Sequence, residues 1–209
     1  MSNQPKSNTW DKTWKKISKP RIDLTSLTIF SEMDRHINFK NKSVLELGCG
    51  SGRLSFLIAA KGAKSIDLVD FSEKMLKLAK EKARKLKIPA EFILADISKK
   101  LPFEKNFFQC ALSVSALHCL PPKSHKKAIA ELYRVLKPKG KALIGVWNFH
   151  SKRFNQKKGR EKLIGWTNKG KRYYYLFEEK EIHDLFKKAG FKILSTHNSE
   201  MMINFIVEK

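Results

Sequence analysis

From Ser43 onward, short apolar runs alternate with stretches whose apolar residues recur every three or four positions. Ser43–Leu47, Ser65–Asp70, Ala90–Ala95, Phe108–Val114 and Lys141–Trp147 read as strands, the fourth apolar almost throughout, as a strand covered on both faces requires. Between them, Leu54, Leu57 and Ile58 mark one helical face, ending near Gly62. Met75, Leu76, Ala79, Ala83 and Leu86 mark a second behind a capping Ser72. Ala128, Ile129, Leu132, Val135 and Leu136 mark a third, with Ser124 as its predicted cap and Pro138-Lys139-Gly140 as its end. Strands alternating with helices predict an α/β fold on a mostly parallel sheet. The alternation then stops. Residues 148–172 carry nine lysines and arginines and one acid, Glu161, and read as a basic loop. Ile182, Leu185, Phe186 and Ala189 form a last helical face closed by Gly190. Phe191–Thr196 and Ile203–Val207 are joined by a short connection, so they pair antiparallel.

The first 40 residues stand apart as a helical lead-in. Trp10 and Trp14 share one helical face, and Leu27, Phe30, Met33 and Ile37 another, with a break at Lys19-Pro20-Arg21. Packing helices or a lid over a ligand both fit. Residues 41–209 are then one domain, with the basic insert at 148–172.

Composition narrows the partners. Forty-three Lys+Arg against 20 Asp+Glu give a formal charge of +23, which attracts polyanions and makes nucleic acid the expected partner. No run of about 18 apolar residues suits a membrane span, and the opening residues lack a signal peptide's apolar core. A cytoplasmic protein without a membrane partner is expected. Cys49, Cys110 and Cys119 are widely spaced and lack a C-x-x-C pair, so neither a disulfide framework nor a metal site follows.

The chemistry concentrates at Glu46-Leu47-Gly48-Cys49-Gly50-Ser51-Gly52, a strand-to-helix turn with glycines on alternate positions. Without Cβ atoms, backbone passes close to a ligand, and the helix start adds free N–H groups. A dinucleotide turn wants G-x-G-x-x-G, but here the third glycine comes one residue early and Arg53 takes the last position. The P-loop pattern is absent. An acid two residues ahead of the first glycine repels pyrophosphate and suits a cationic amino-acid moiety. Asp70 ends the second strand, where a carboxylate can accept ribose hydroxyls. Asp96 and Ile97 follow the third, suited to an adenine amino group and its ring face.

From Ser43 to Trp147 this pattern resembles the class I S-adenosylmethionine-dependent methyltransferases. The resemblance implies a Rossmann-like seven-stranded sheet, mostly parallel with an antiparallel C-terminal hairpin. It implies S-adenosylmethionine held by Glu46, Gly48, Gly50, Gly52, Asp70, Phe71, Asp96, Ile97 and Ser113. Further residues, Ser115-Ala116-Leu117-His118-Cys119, Val146-Trp147-Asn148 and Lys171-Arg172-Tyr173-Tyr174-Tyr175-Leu176-Phe177, are similar to the tRNA wobble-uridine carboxymethyl methyltransferases. Cys119 and Tyr175 depart from that pattern, which has histidines there. This narrower resemblance implies His118 and Arg172 as catalytic residues, and Trp147, Lys171, Tyr173 and Tyr174 in a substrate mouth. It also implies tRNA as substrate and a small zinc-containing activator protein as partner. The nucleophile would be the carboxylate of 5-carboxymethyluridine, already ionised at neutral pH, so no general base is required. A small-molecule O-methyltransferase of the same fold and a non-catalytic RNA-binding scaffold are the alternatives.

Overall fold

The computed structural model describes residues 33–154, 159–165 and 171–209. Trp10, Trp14, Leu27 and Phe30 of the lead-in, and Trp166 and Lys169 of the insert, lie outside the described residues. Nine strands and four helices are described beyond the helical turn at 33–36. The strands are β1 Ser43–Leu47, β2 Ser65–Asp70, β3 Glu91–Leu94, β4 Phe108–Val114, β5 Leu136–Trp147, β6 Glu161–Gly165, β7 Lys171–Tyr175, β8 Lys192–Thr196 and β9 Met202–Glu208. The helices are α1 Arg53–Ala60, α2 Glu73–Leu86, α3 Pro122–Val135 and α4 Glu179–Lys188.

Seven strands form one sheet in the order β3-β2-β1-β4-β5-β9-β8, in which β1 to β5 run parallel and β9 and β8 return antiparallel. The sheet order reverses between β1 and β4, so their carboxyl ends part and leave a crevice. Period-2 alternation sends neighbouring side chains to opposite faces. Val44, Leu68, Cys110, Leu112 and Leu143 pack beneath α1 and α2, together with Met33, Ile37 and Phe39. Leu45, Leu47, Val69, Ala111, Ala142 and Ile144 pack beneath α3 and α4. Met33 and Ile37 are therefore packing residues of the core.

Three local readings change. Helix α3 begins at Pro122 with Pro121 as its cap, not at Ser124. Proline loses nothing at a helix's first position, where its N–H would have no partner. Helix α3 ends at Val135, and β5 starts at the next residue. There a bulge sets Leu136–Lys141 against Phe108–Cys110, with Lys139 in the left-handed region at φ 62°. Residues 148–172 are not a plain loop. They hold a 3-10 turn at Lys152–Phe154, strand β6 and the start of β7, and these two strands pair antiparallel as a separate hairpin, with Ile164 opposite Arg172. Gly190 lies past the end of α4 at φ 102°, where a Cβ would come within 2.9 Å of the Tyr133 ring.

Ser72, fully buried, caps α2 by accepting a hydrogen bond from the Met75 amide at 3.3 Å. Because this cap also fixes how the chain leaves β2, Ser72→Ala should cost about 1 kcal/mol in urea unfolding, as cap removals do.

Candidate cofactor and acceptor site

Two carboxylates tie the glycine turn to its neighbours. Asp70 Oδ2 accepts from the Gly50 amide at 2.8 Å and Oδ1 from the Ser72 amide at 2.9 Å. Glu46 is buried and accepts from the Ser55 amide at 3.1 Å and from the Ser55 hydroxyl, one turn into α1. Burial, only partly offset by those hydrogen bonds, pushes the Glu46 carboxyl up to about 7, with the nearby Asp70 charge adding to the rise. Asp96 Oδ1 accepts from the amide and hydroxyl of Ser98, while Ile97 is buried in the core beside it. Phe71, next to Asp70, is 38% exposed.

The three glycines have different reasons to be there. All have positive φ: 72° at Gly48, 52° at Gly50 and 73° at Gly52. A Cβ on Gly48 would stand 2.4 Å from Ala116 Cβ, and one on Gly52 would press into the Phe56 ring at 2.7 Å. A Cβ on Gly50 would meet nothing within 4 Å. Gly48 and Gly52 let the turn pack against Ala116, just past β4, and against α1, and Gly50 leaves its crest bare. Ser113 on β4 is fully buried, and its Oγ has no hydrogen-bond partner among the described residues. A bare glycine crest, a buried hydroxyl awaiting a partner and acids at successive strand ends fit S-adenosylmethionine. Glu46 would answer its ammonium, Asp70 its ribose, and Asp96 and Ile97 its adenine.

Beyond the crevice lies an aromatic cluster. His118 sits in a 3-10 turn, Leu117–Cys119, directly after β4, and Trp147 ends β5. The Trp147 ring stacks on Tyr174 at 4.3 Å, Phe154 at 4.6 Å and His118 at 4.8 Å between centroids. Trp147 and Tyr174 are both less than a tenth exposed, so with His118 they form a closed aromatic floor rather than open stacking faces. His118 Nδ1 accepts from the Trp147 amide at 3.1 Å, which places the ring proton on Nε2. Burial, with His125 nearby, holds its pKa down at about 3. His118 is thus a neutral hydrogen-bond donor and no acid or base near neutral pH. Tyr173 points to the opposite face of β7, into the main core, where burial and Glu161 raise its hydroxyl pKa.

Arg172 lies not on a basic loop but on β7, 1% exposed and against the His118 turn. Its charge offsets part of the rise that burial imposes on the Cys119 thiol, a group that the Asp70 charge also reaches. Lys171, its neighbour, is exposed. Arg153 stands 5.8 Å over the Trp147 ring, a contact the sequence does not signal because it depends on how 148–154 folds back. Among the described residues, no group of three or more His, Cys, Asp or Glu is placed to hold a metal ion, and no helix is long and apolar enough to cross a membrane.

Comparison with known proteins agrees with this geometry. The family described as Methyltransferase domain matches residues 44–140. An Encephalitozoon cuniculi protein named as a methyltransferase is 29% identical over 79% of this chain and 78% of its own length. A tRNA (carboxymethyluridine(34)-5-O)-methyltransferase of Arabidopsis thaliana is 33% identical over 50% of this chain and 24% of its own length. The ubiquinone/menaquinone biosynthesis C-methyltransferase of Escherichia coli O1:K1 is 34% identical over 50% of this chain and 42% of its own length. The chain thus spans less than half the length of these last two relatives. A Methanosarcina mazei S-adenosylmethionine-dependent methyltransferase superposes with TM-score 0.75 at 24% identity, covering 85% of this chain and 96% of its own. A Burkholderia thailandensis 1,6-didemethyltoxoflavin-N1-methyltransferase, solved with S-adenosylhomocysteine, gives 0.66 at 19% identity, covering 89% and 76%. The fold is that of the class I methyltransferases, and residues 44–140 match a methyltransferase domain.

Two outcomes follow for the cofactor. Gly48→Ala should lower folding stability by about 3 kcal/mol through overpacking against Ala116 and a disfavoured φ. Gly50→Ala should cost only about 1 kcal/mol for its φ yet weaken cofactor binding more than about tenfold; melting curves and titration calorimetry separate the two. Glu46 holds a proton below its raised pKa, and a cationic ligand favours its ionised form, so binding releases that proton and tightens as pH rises. Between pH 5.5 and 7.0 affinity for S-adenosylmethionine should rise roughly tenfold, below the titration of the ligand's own amine, and Glu46→Gln should flatten the slope.

Proposed function

We propose that this domain methylates the carboxylate of 5-carboxymethyluridine at the wobble position of tRNA. The observation that carries the reading is Arg172: an arginine buried on β7, against the turn that follows β4 and beside a floor made by Trp147, His118 and Tyr174. A guanidinium in so dry a place binds a carboxylate well, in the two-pronged geometry that lysine lacks. The plant tRNA methyltransferase that matches half the chain supports the same acceptor.

S-adenosylmethionine, when bound, supplies an electrophilic methyl group and leaves as S-adenosylhomocysteine. The chain's own residues then have three tasks. Arg172 holds the acceptor carboxylate, leaving one oxygen to attack the methyl carbon. His118 donates from Nε2 to a carbonyl of the uracil. The closed aromatic floor excludes water and fixes the approach, so catalysis is by proximity and orientation. A carboxylate of pKa near 4 is about fully ionised at pH 7, which is why a neutral His118 is no handicap. Exposed Lys152, Arg153 and Lys171 lie around this floor and offer phosphate contacts to the tRNA backbone. A cytoplasmic location is part of this proposal. The activator protein that the wobble-uridine resemblance implies remains part of this proposal.

A second reading has its own support. The cluster is nearly closed to solvent, which suits a small planar acceptor, and the quinone C-methyltransferase matches as well as the tRNA enzyme does. Incubating purified protein with S-adenosylmethionine and tRNA bearing 5-carboxymethyluridine, then analysing nucleosides by mass spectrometry, separates the two. The expected product is the methyl ester, with kcat at saturating cofactor flat from pH 6 to 8 because His118 does not titrate there. Arg172→Gln should raise the acceptor KM by about 10- to 100-fold, the worth of a charged hydrogen-bond pair. Unchanged wobble nucleosides, with or without an added activator, would rule out this acceptor.

A further inference from the structure

The hairpin of β6 and β7 carries Arg172 and Tyr174, yet it stands outside the seven-stranded sheet. Beyond β7 the chain is anchored well. The Phe177 amide donates to the Trp147 carbonyl at 3.0 Å, and the Phe149 amide to the Phe177 carbonyl at 2.8 Å. Strand β6 meets the domain differently. At its start, Arg160 Nη2 lies 2.9 Å from Glu178 Oε1, and Nη1 donates to Glu181 Oε2. Glu181 Oε1 in turn accepts from the Tyr175 hydroxyl at 2.5 Å. The Arg160 guanidinium also covers the Phe149 ring at 5.4 Å, and its carbonyl accepts from the Leu176 amide at 2.9 Å. Glu178 caps α4 and Glu181 lies in its first turn, so both acids also face the positive end of that helix. His150 Nε2 lies 3.9 Å from Glu178 on the remaining side.

We propose that Arg160 is a positioning residue for the acceptor, fixing the register of the hairpin through Glu178, Glu181 and Tyr175. In a strand, neighbours point to opposite faces, and a slip of one residue exchanges the faces. Tyr173 and Tyr175 point into the main core, where Tyr175 meets His125 and Phe177 edge-on. Arg172 and Tyr174 therefore point the other way, toward Trp147 and His118. Holding Tyr175 by its hydroxyl holds Arg172 over the floor. Two carboxylates on one guanidinium, stacked on an aromatic ring, are a geometry that Lys cannot reproduce.

This role rests on the acceptor placement proposed above, and two measurements keep the two claims apart. In hydrogen exchange on the full-length chain, Arg160→Gln should speed amides of 161–165 and 171–175 by at least about tenfold, with β1 and β4 unchanged. With an anticodon stem-loop bearing 5-carboxymethyluridine, kcat/KM should fall about tenfold or more while S-adenosylmethionine affinity stays within about twofold, and Arg160→Lys should recover only part. Exchange that stays slow in the hairpin, or that quickens equally in β1 and β4, overturns the role whatever the acceptor is. Equal loss of cofactor affinity and acceptor turnover overturns it too. Wild-type protein inactive on the stem-loop would instead refute the acceptor, and the exchange result would still decide the role of Arg160.

Discussion

The site depends on carboxylates that satisfy backbone amides at the carboxyl end of the sheet. A turn rich in left-handed glycines cannot form a hydrogen-bond ladder, and buried amides without partners are costly. Asp70 reaches from β2 to the Gly50 amide and also holds the chain entering α2, while Glu46 reaches from β1 to Ser55 at the start of α1. The same two acids that shape the turn are the ones a cationic, ribose-bearing ligand would address. Shape and recognition thus draw on one set of charges. Burial raises the Glu46 carboxyl toward neutrality, which lessens the cost of a negative charge in a dry place.

Parts of this were legible in the chain because they follow local rules. The apolar runs of β1, β2, β4 and β9, the Ser72 cap and Gly190 past α4 all rest on periodicity or on a single steric need. The spacing of the glycines could be read too, but not their division of labour. That Gly48 is forced by Ala116, almost 70 residues away, is a fact of packing. The hairpin of β6 and β7 escaped because charge hides its pattern. Glu161-Lys162-Leu163-Ile164-Gly165 reads as polar with two apolar residues, and an arginine reads as solvent-facing by default. Arg172 is buried because its strand packs against the His118 turn and carries Tyr174 onto Trp147. Pro121 and Pro122 displaced the Ser124 cap for a local reason that the sequence did carry: proline suits a helix's first turn.

Neutral His118 and charged Arg172 divide the acceptor side by protonation. Both lie in low-exposure surroundings. Histidine gives up its proton when desolvated, and its Nδ1 then gains the Trp147 amide. Beside it, the guanidinium of Arg172 offers a planar fork of N–H donors and no acceptor. The acceptor side thus pairs a neutral imidazole donor with a guanidinium. In the proposed reaction that pairing matches an acceptor with one carbonyl to orient and one carboxylate to hold.

A closed aromatic floor also constrains how a nucleobase would be met. Trp147 already touches three rings, and a base cannot slide between Trp147 and Tyr174 at 4.3 Å without parting them. Parting them costs contact area that a new stack only replaces, so the gain from stacking is small. Selectivity in the proposed reaction then comes from the polar groups at the floor's edge. A guanidinium meets a carboxylate in a two-pronged, charge-assisted geometry that a neutral acceptor does not reproduce, which favours acceptors that carry one. The carboxylate thus serves both as nucleophile and as the group by which the acceptor is chosen, and moving Arg172 off the floor would cost rate and choice together.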